Sequence, residues 1–323
     1  MARIKAIRGL DCSARSDKML RLVLLAQLKA MCDMRSKALD WKDPEGVHDM
    51  RVFSRRLRTA ISDFRPYLGK VELPVLELKK LAKALGAVRD EDVALIALEG
   101  FKANVSIEVA SGIEMFAQEC RSRQEEARAD LKKVISPQAI KQFRREFQAK
   151  LKMTPPRAST LSKKNLSFMD VGVKVINTRL NELTAASQFI YLPFESLGIH
   201  ELRILAKRLR YAIQSFSSCW GNQAEEMARE ISFLQDSLGA LHDCDVWIER
   251  LAKRIVETAA TADSDGEGSL RKAAVWLLGH LANLRAEHYR DALARWHRWE
   301  VEGFLTSIKL MLDRNVAAQT NAP

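Results

Sequence analysis

The amino-acid sequence predicts an all-α protein. Glycine and proline, the residues that most often interrupt helices, occur only 14 and 8 times in 323 residues. Apolar residues recur at three- and four-residue spacing along nearly the whole chain, whereas no convincing run alternates with a period of two. Hydrophobic residues make up 47% of the chain and charged residues 29%, which is typical of a globular protein large enough to bury a core.

Breaks between the periodic stretches divide the chain into ten expected helices. Ser16 is the expected N-cap of the first helix, and Pro44 lies near the start of the second. Pro66, Leu192-Pro193 and Trp220-Gly221-Asn222 are expected to end helices, and 260–269 to form a polar loop. The expected helices span about 16–40, 45–65, 72–103, 105–135, 137–151, 165–189, 194–218, 223–257, 270–297 and 300–314.

A proline-containing segment divides the expected helices into two groups. Residues 152–163, KMTPPRASTLSK, contain two prolines and several small polar residues, which is typical of a linker. The expected organisation is therefore an N-terminal segment 1–15, a first helical half 16–151, the linker 152–163, a second helical half 164–314 and a disordered tail 315–323.

The two halves contain matching sequence blocks. VHDMRVFSRRLRTAISDF at 47–64 matches IHELRILAKRLRYAIQSF at 199–216, and LGAVRDEDV at 85–93 matches LGALHDCDV at 238–246. Two matched blocks in the same order, with nearly the same spacing, indicate an internal duplication. Duplication predicts two similar helical bundles related by a pseudo-twofold axis.

The basic residues of each motif form a stripe along one helix. On a helical wheel this stripe is about 80° wide and lies beside an apolar face. Arg56 and Arg208 fall on a different face of their helices. The stripe consists of His48, Arg51, Arg55 and Arg58 in the first half, and of His200, Arg203, Lys207 and Arg210 in the second.

This clustering of positive charge favours an anionic ligand over a simple solvated face. Like charges three and four residues apart repel on a helix, and neither stripe contains an acidic residue to offset this cost. Arginine presents a fork that matches two phosphate oxygens, lysine a compact charge, and histidine a donor that gains a proton beside phosphate. The formal net charge of +11 is compatible with nucleic acid, a phosphate polymer or an anionic membrane.

The paired motifs resemble those of the CHAD family, the conserved-histidine α-helical domain. The resemblance rests on HxxRVxxRRLR, HxLRIxxKRLR and the LGxxRDxDV-type block after each, and it covers about 16–313. It implies two antiparallel four-helix bundles around a basic central channel. It also implies non-catalytic binding of inorganic polyphosphate, association with polyphosphate granules, and no cofactor. Some relatives carry a β-rich CYTH domain, for which we find no segment here.

The resemblance assigns polyphosphate binding to the eight stripe residues, and more weakly to Arg56 and Arg208 in the RLR segments. Arg89 is a further candidate, but the second half has His242 at that position, so a contact from Arg89 would make the halves bind unequally. Four aspartates follow in the same blocks, and they could either orient the arginines or form ordinary salt bridges between helices. These are Asp90, Asp92, Asp243 and Asp245.

Three alternative functions compete with polyphosphate binding. His48-Asp49 and His242-Asp243 resemble the metal-binding pair of phosphohydrolases, but further ligands at suitable spacing are missing, so we expect neither a metal nor an enzyme. Nucleic-acid binding suits the charge, but no recognition motif is present and the aromatic content is only 7%. The segment 301–312 could dock on a phospholipid or granule surface, although packing within the second bundle is the favoured interpretation.

The cysteines and the hydropathy pattern favour the cytoplasm. The five cysteines are scattered without metal-ligand spacing, so we expect reduced thiols. The N-terminus has no apolar run long enough for a signal peptide, and no stretch approaches the roughly 20 apolar residues of a spanning helix. The sequence predicts no oligomeric state.

Overall fold

The structure is a computed structural model that describes residues 7–153, 166–259 and 265–320. These residues are predominantly helical and include no β-strand, so the prediction of an all-α fold is confirmed. A single isolated antiparallel bridge joins Arg15 to Ser167. The N-terminal residues 1–6, most of the predicted linker and residues 321–323 lie outside the described part of the chain.

Eleven α-helices are present in these ranges. Short 3-10 segments follow α4, α7 and α8, at Lys102–Asn104, Ser187–Tyr191 and Ser217–Cys219. The helices are α1 Ser16–Asp33, α2 Arg35–Ala38, α3 Glu45–Phe64, α4 Val75–Phe101, α5 Ile107–Val134, α6 Pro137–Met153, α7 Phe168–Ala185, α8 Ser196–Ser215, α9 Gly221–Ala259, α10 Asp265–Glu302 and α11 Phe304–Thr320.

Several helix boundaries differ by a few residues from those expected, and three of the differences are informative. The first expected helix is divided at Met34, which allows the short α2 to pack against α3. Helix α10 begins at Asp265, inside the expected polar loop. Helix α11 extends to Thr320, whereas a disordered tail was expected from residue 315; no glycine or proline interrupts this stretch before Pro323.

Serine residues mark two helix starts in different ways. The Ser167 side chain accepts a hydrogen bond from the Asp170 amide, and the Asp170 carboxylate accepts one from the Ser167 amide, which forms a capping box for α7. Ser16, the expected N-cap, is instead the first residue of α1. Its amide donates to the carbonyl of Leu166, so a backbone group on a neighbouring segment satisfies it.

The described chain separates into two compact units. The first unit contains 7–8, 20–153, 250–259 and 265–279, and the second contains 9–19, 166–249 and 280–320. Helices α9 and α10 each contribute residues to both units. The two compact units therefore do not coincide with the two halves that the sequence repeat predicts.

The first unit is built around helices α1 to α6. Helix α4 packs against both α3 and α5, and α2 packs against α3. Leu20, Leu24 and Leu28 from α1, together with Phe64 and Phe147, are almost completely buried. Burial of these large side chains provides the main driving force for folding this unit.

The second unit has a core rich in aromatic residues. Helix α7 packs against α8, where the Phe168 and Phe216 ring centroids lie 4.7 Å apart. Trp296 and Trp299 are also buried, with their ring centroids 5.5 Å apart. The Trp299 indole donates a 2.9 Å hydrogen bond to Glu230, which satisfies its polar group inside the core.

A disulfide bond in the second unit corrects the expectation of five reduced cysteines. Cys12 and Cys219 are bonded, with their Cα atoms 5.6 Å apart and a sequence separation of 207. Sequence spacing gave no signal for this pair because the tertiary fold brings the two segments together. Cys32, Cys120 and Cys244 are free and buried, and burial raises the pKa of each thiol to about 11. One of the observations behind the cytoplasmic prediction is thereby removed.

None of the helices in the described ranges has a stretch both long and apolar enough to cross a bilayer.

Candidate functional site

The motif helices α3 and α8 bury the apolar faces that the wheel predicts. Each helix contains 20 residues, and both have a strongly amphipathic sequence. Packing of these faces fixes the rotation of each helix, and the basic stripe is left at the margin of its unit. The buried residues are Met50, Phe53, Leu57, Ile61 and Phe64 in α3, and Leu202, Leu205, Leu209, Ile213 and Phe216 in or immediately after α8.

A glycine two residues before each motif histidine permits close packing at the helix start. A Cβ atom on Gly46 would lie 2.4 Å or less from the carbonyl group of Lys37. A Cβ atom on Gly198 would lie 2.3 Å from the ring of Phe189. The preceding segment therefore contacts the helix backbone directly in both units, and this contact fixes where His48 and His200 begin the stripe.

In the first unit, residues from α3 and α4 form a basic cluster. We call His48, Arg51, Arg55, Arg58 and Arg89 the first cluster. Arg51 lies 3.2 Å from Asp90, and Arg89 lies 3.8 Å from Glu45, so each interhelical ion pair involves one cluster arginine. The side chains of Arg51 and Arg89 are only 21% and 16% exposed, whereas both carboxylates are more than half exposed.

The partial burial of Arg89 leaves one of its nitrogens without a hydrogen bond. Its Nη1 atom is buried and has no hydrogen-bond partner among the described residues. Withdrawing a guanidinium nitrogen from water without an acceptor costs free energy. Such a cost is common at binding sites, where it is offset when a ligand brings negative charge close to the group.

His48 lies in a site of mixed charge. Burial lowers the pKa of His48, and the positive charges of Arg89 and Arg51 lower it further. The carboxylates of Glu45 and Asp49 act in the opposite direction and raise it. The ligand atoms of Glu45, His48 and Asp49 lie within 4.8 Å of one another, a spacing that could hold a metal ion. The nearby Arg89 guanidinium already provides a positive charge to Glu45, and the second half has Leu197 and Glu201 at the corresponding outer positions. Glu45 is thus a third possible ligand beside the His48-Asp49 pair in the first unit, where the sequence analysis expected further ligands to be missing.

In the second unit, the motif histidine contacts another histidine. The Nδ1 atoms of His200 on α8 and His242 on α9 are 3.2 Å apart, and their ring centroids are 4.3 Å apart. We call His200, Arg203, Lys207, Arg210 and His242 the second cluster. His242 occupies the repeat position of Arg89, so the two clusters differ in the side chain that acts on the motif histidine.

Both histidines of the second cluster favour the neutral form. Burial lowers the pKa of His200, and Arg203 and Lys207 lower it further. The pKa of His242 is lowered to about 4 by burial, by Arg203 and by His200, against which Asp245 acts. With one ring as donor and the other as acceptor, the two neutral rings can share a hydrogen bond.

The remaining predicted residues contribute unequally. Arg55 and Arg210 are partly buried, whereas Arg58 and Arg208 are exposed. The Arg210 guanidinium lies 5.1 Å from the ring centroid of Tyr211. Arg56 turns toward the apolar face, with its guanidinium 5.9 Å from the ring centroid of Phe53. The different orientation of Arg56 agrees with its separate position on the wheel.

The aspartates divide between the two roles left open by the sequence. Asp90 pairs with the stripe residue Arg51. Asp92 instead accepts from Gln124 and lies 3.6 Å from Arg128 on α5, while Asp245 accepts a 2.5 Å hydrogen bond from Arg285 on α10. Asp92 and Asp245 therefore join helices within their own units, and Asp90 is placed to orient a cluster arginine.

His242 is the site residue that sequence reasoning did not include among the binding residues. Its alignment with Arg89 is visible in the sequence. A helical wheel describes one helix by itself, however, and does not show contacts between helices. Only the packing of α9 on α8 shows that His242 reaches His200. Alignment of the second repeat block could have found it, since Arg89 was itself a candidate.

Comparisons with known proteins agree with the all-α fold. The family model of the CHAD domain matches residues 22–252. The crystal structure of the CHAD domain from the plant Ricinus communis is similar, with a TM-score of 0.66 and 20% identity over 92% of this chain and 95% of that chain. The structure of PptA from Streptomyces chartreusis has a TM-score of 0.65 and 12% identity over 88% of this chain and 100% of that chain. No curated protein sequence matches this chain. Because the family model spans well over half of its length, the chain belongs to the CHAD domain family.

Proposed function

We propose that this protein binds inorganic polyphosphate without catalysing its breakdown. The observation that carries the proposal is the presence, in each compact unit, of a cationic cluster built from two helices around the motif histidine. Arg51 and Arg89 act electrostatically on His48 in one unit, and Arg203 and Lys207 act on His200 in the other. Membership of a family described as polyphosphate-binding supports the same ligand.

The chemistry of the clusters suits a phosphate polymer. Each internal phosphate carries about one negative charge, so a run of phosphates can contact several cations in succession. A partly buried guanidinium holds its donors in fixed positions and loses less conformational freedom on binding than a fully exposed one. A uniform polymer requires no base-reading motif, in agreement with the low aromatic content of 7%.

The two similar sites also support a duplicated architecture. We infer that the halves arose by duplication into two four-helix bundles, as the resemblance implies. The equal lengths of α3 and α8 and the matching positions of Gly46 and Gly198 support this inference. A common central channel, a cytoplasmic location and association with granules stay predictions.

The test is a titration of long-chain polyphosphate into the wild type and the double variant Arg51→Glu/Arg203→Glu. We expect the affinity to fall by about 100-fold or more, because two charge-assisted contacts become repulsive. The matched control is Arg145→Glu/Lys309→Glu, which changes net charge equally at exposed positions, one in each unit. Circular dichroism confirms that all variants are folded.

Two further measurements separate the alternative functions. Random single-stranded DNA of equal charge should bind more weakly than polyphosphate, and both affinities should fall as salt rises. Phosphate release should remain at background when Mg²⁺ or Mn²⁺ is added. Equal affinity of folded wild type and Arg51→Glu/Arg203→Glu would contradict the binding proposal, and metal-dependent release lost in His48→Ala would establish the enzyme instead.

A further inference from the structure

The two clusters differ at one repeat position whose side chain acts on the motif histidine. In the first unit this position is Arg89, which carries a permanent positive charge and lies near Glu45. In the second unit it is His242, whose Nδ1 atom lies 3.2 Å from that of His200. The second cluster thus has two titratable rings where the first has one ring and one guanidinium.

The surroundings of the histidine pair determine when it takes up protons. On α8 the neighbouring charges are Arg203 and Lys207, and on α9 the carboxylate that acts on His242 is Asp245. Asp245 is already bound to Arg285 of α10, which also donates to the carbonyl of Pro193. Asp243 is the exposed neighbour of His242 along α9.

Two other elements packed on α8 make apolar contacts with it or with Phe216 at its end. Helix α7 contacts the end of α8 through Phe168 and Gly172, both against Phe216. The 3-10 segment Ser187–Tyr191 places Phe189 against Gly198. Among the described residues, the groups that shift the charge of the pair are therefore mainly cations, which favour the neutral rings in the absence of a bound anion.

We propose that the second cluster is a proton-linked anion site, in which His200 and His242 take up protons when a polyphosphate segment binds, whereas Arg89 gives the first cluster a fixed charge at the same position. This proposal rests on the proposed function and adds its regulation. The negative charge of a phosphate chain beside the pair would favour the protonated rings, whereas the neighbouring cations favour the neutral rings. Binding and protonation would then strengthen each other, as linkage requires.

The direction of the pH effect follows from this linkage. Each proton taken up on binding raises the affinity by about tenfold for each unit by which the pH falls. This holds at pH values between the pKa of the histidine in the free protein and its pKa in the complex. Affinity at the second cluster should therefore rise as pH falls from about 8 to about 6. The first cluster has one histidine in place of two, so its affinity should change less steeply.

The experiment uses the intact chain with the substitution Arg51→Glu. This substitution weakens the first cluster, so that the measured binding reports on the second cluster. Polyphosphate affinity is measured at several pH values, in the presence of EDTA so that no metal bridges the two rings. Long-chain polyphosphate is used because its few terminal groups contribute little titration of their own. His242→Arg, which introduces the residue of the first cluster, should reduce the pH slope by about one proton and increase the affinity near pH 8 by about tenfold.

Two additional measurements keep the test decisive if His242→Arg fails to fold. His242→Gln retains a side chain that can hydrogen-bond but cannot gain a proton, and it should also reduce the slope by about one proton. Histidine NMR titration of the wild type should show two rings that titrate at higher pH when polyphosphate is bound. The reciprocal change Arg89→His, in an Arg203→Glu background, should steepen the pH slope of the first cluster.

The outcomes separate this inference from the proposed function. A pH slope that is the same in folded His242→Gln and its Arg51→Glu parent would overturn the proton-linked site while leaving polyphosphate binding intact. Histidine titrations unaffected by saturating polyphosphate would overturn it as well. Absence of polyphosphate binding by the wild type at every pH would instead refute the proposed function itself.

Discussion

At the scale of single residues, the wheel predicted the stripes but not the partners of their members. The spacing of His48 and Arg51 follows directly from helical geometry, so one sequence suffices to place them on a common face. The contacts Arg51 with Asp90 and His200 with His242 depend on how neighbouring helices pack. These contacts determine which cationic side chains are held in place and which histidine rings are neutral. Neither property can be predicted from the sequence pattern of a single helix.

The lowered pKa of His242 predicts a loss of stability in acid. The folded protein holds this ring with a pKa of about 4, whereas an unfolded histidine titrates at about 6.5. Between these values the unfolded state binds a proton that the folded state does not, so stability falls as pH falls through this window. At about pH 4.5 this effect amounts to about 2 kcal/mol.

Urea unfolding of wild type and His242→Gln at about pH 7.5 and about pH 4.5 measures this effect. The variant should lose about 2 kcal/mol less than the wild type between the two pH values, whatever its stability at neutral pH. His297→Gln, which removes an exposed ring in place of a partly buried one, is the control. Equal pH dependence in His242→Gln and the wild type would contradict the burial of a neutral ring at this position.

At the scale of secondary-structure elements, the sequence predicted the presence of each helix better than the residues at which it begins and ends. All ten expected helices have counterparts, because their apolar faces continue over several turns. The division at Met34 and the start of α10 at Asp265 depend on local packing and on end effects. The glycines of the motif helices were visible in the sequence, but only the structure shows that Lys37 and Phe189 lie against them.

Alanine substitution of these glycines should therefore have position-specific effects. A methyl group on Gly46 meets the backbone of Lys37, which cannot rotate away, so Gly46→Ala should destabilise the protein by about 1–3 kcal/mol. Gly198→Ala meets the ring of Phe189, which can move, so its cost should be smaller. Both changes should also weaken polyphosphate binding, because they displace the start of the stripe.

Gly279 in α10 provides the matched control. A Cβ atom there meets nothing within 4 Å, and alanine favours a helix, so Gly279→Ala should stabilise the protein by up to about 1 kcal/mol. Thermal or urea unfolding of the three variants gives the order of stability. A Gly46→Ala protein as stable as Gly279→Ala would show that the close approach of Lys37 is not required.

At the scale of the whole molecule, the two matched motifs predict a duplication, whereas the compact units draw on distant parts of the chain. Residues 250–259 and 265–279 belong to the first unit, and 9–19 belong to the second. Sequence similarity identifies which segments share an origin, whereas long-range contacts decide which segments fold together. The bond between Cys12 and Cys219 is such a contact, and it fixes the N-terminal segment within the second unit.

This disulfide predicts a defined thiol count and a contribution to stability. The chain has five cysteines, of which three are free and buried, so a denatured, unreduced sample should titrate three thiols and a native sample almost none. Cys12→Ser/Cys219→Ser should lower the free energy of unfolding by about 2–4 kcal/mol, because the bond restricts the unfolded chain across 207 residues. Wild type in a reducing agent should lose a similar amount, and the reducing agent should not affect the double variant. Five thiols in the denatured oxidised protein would contradict the bond and restore the argument for a fully reduced protein.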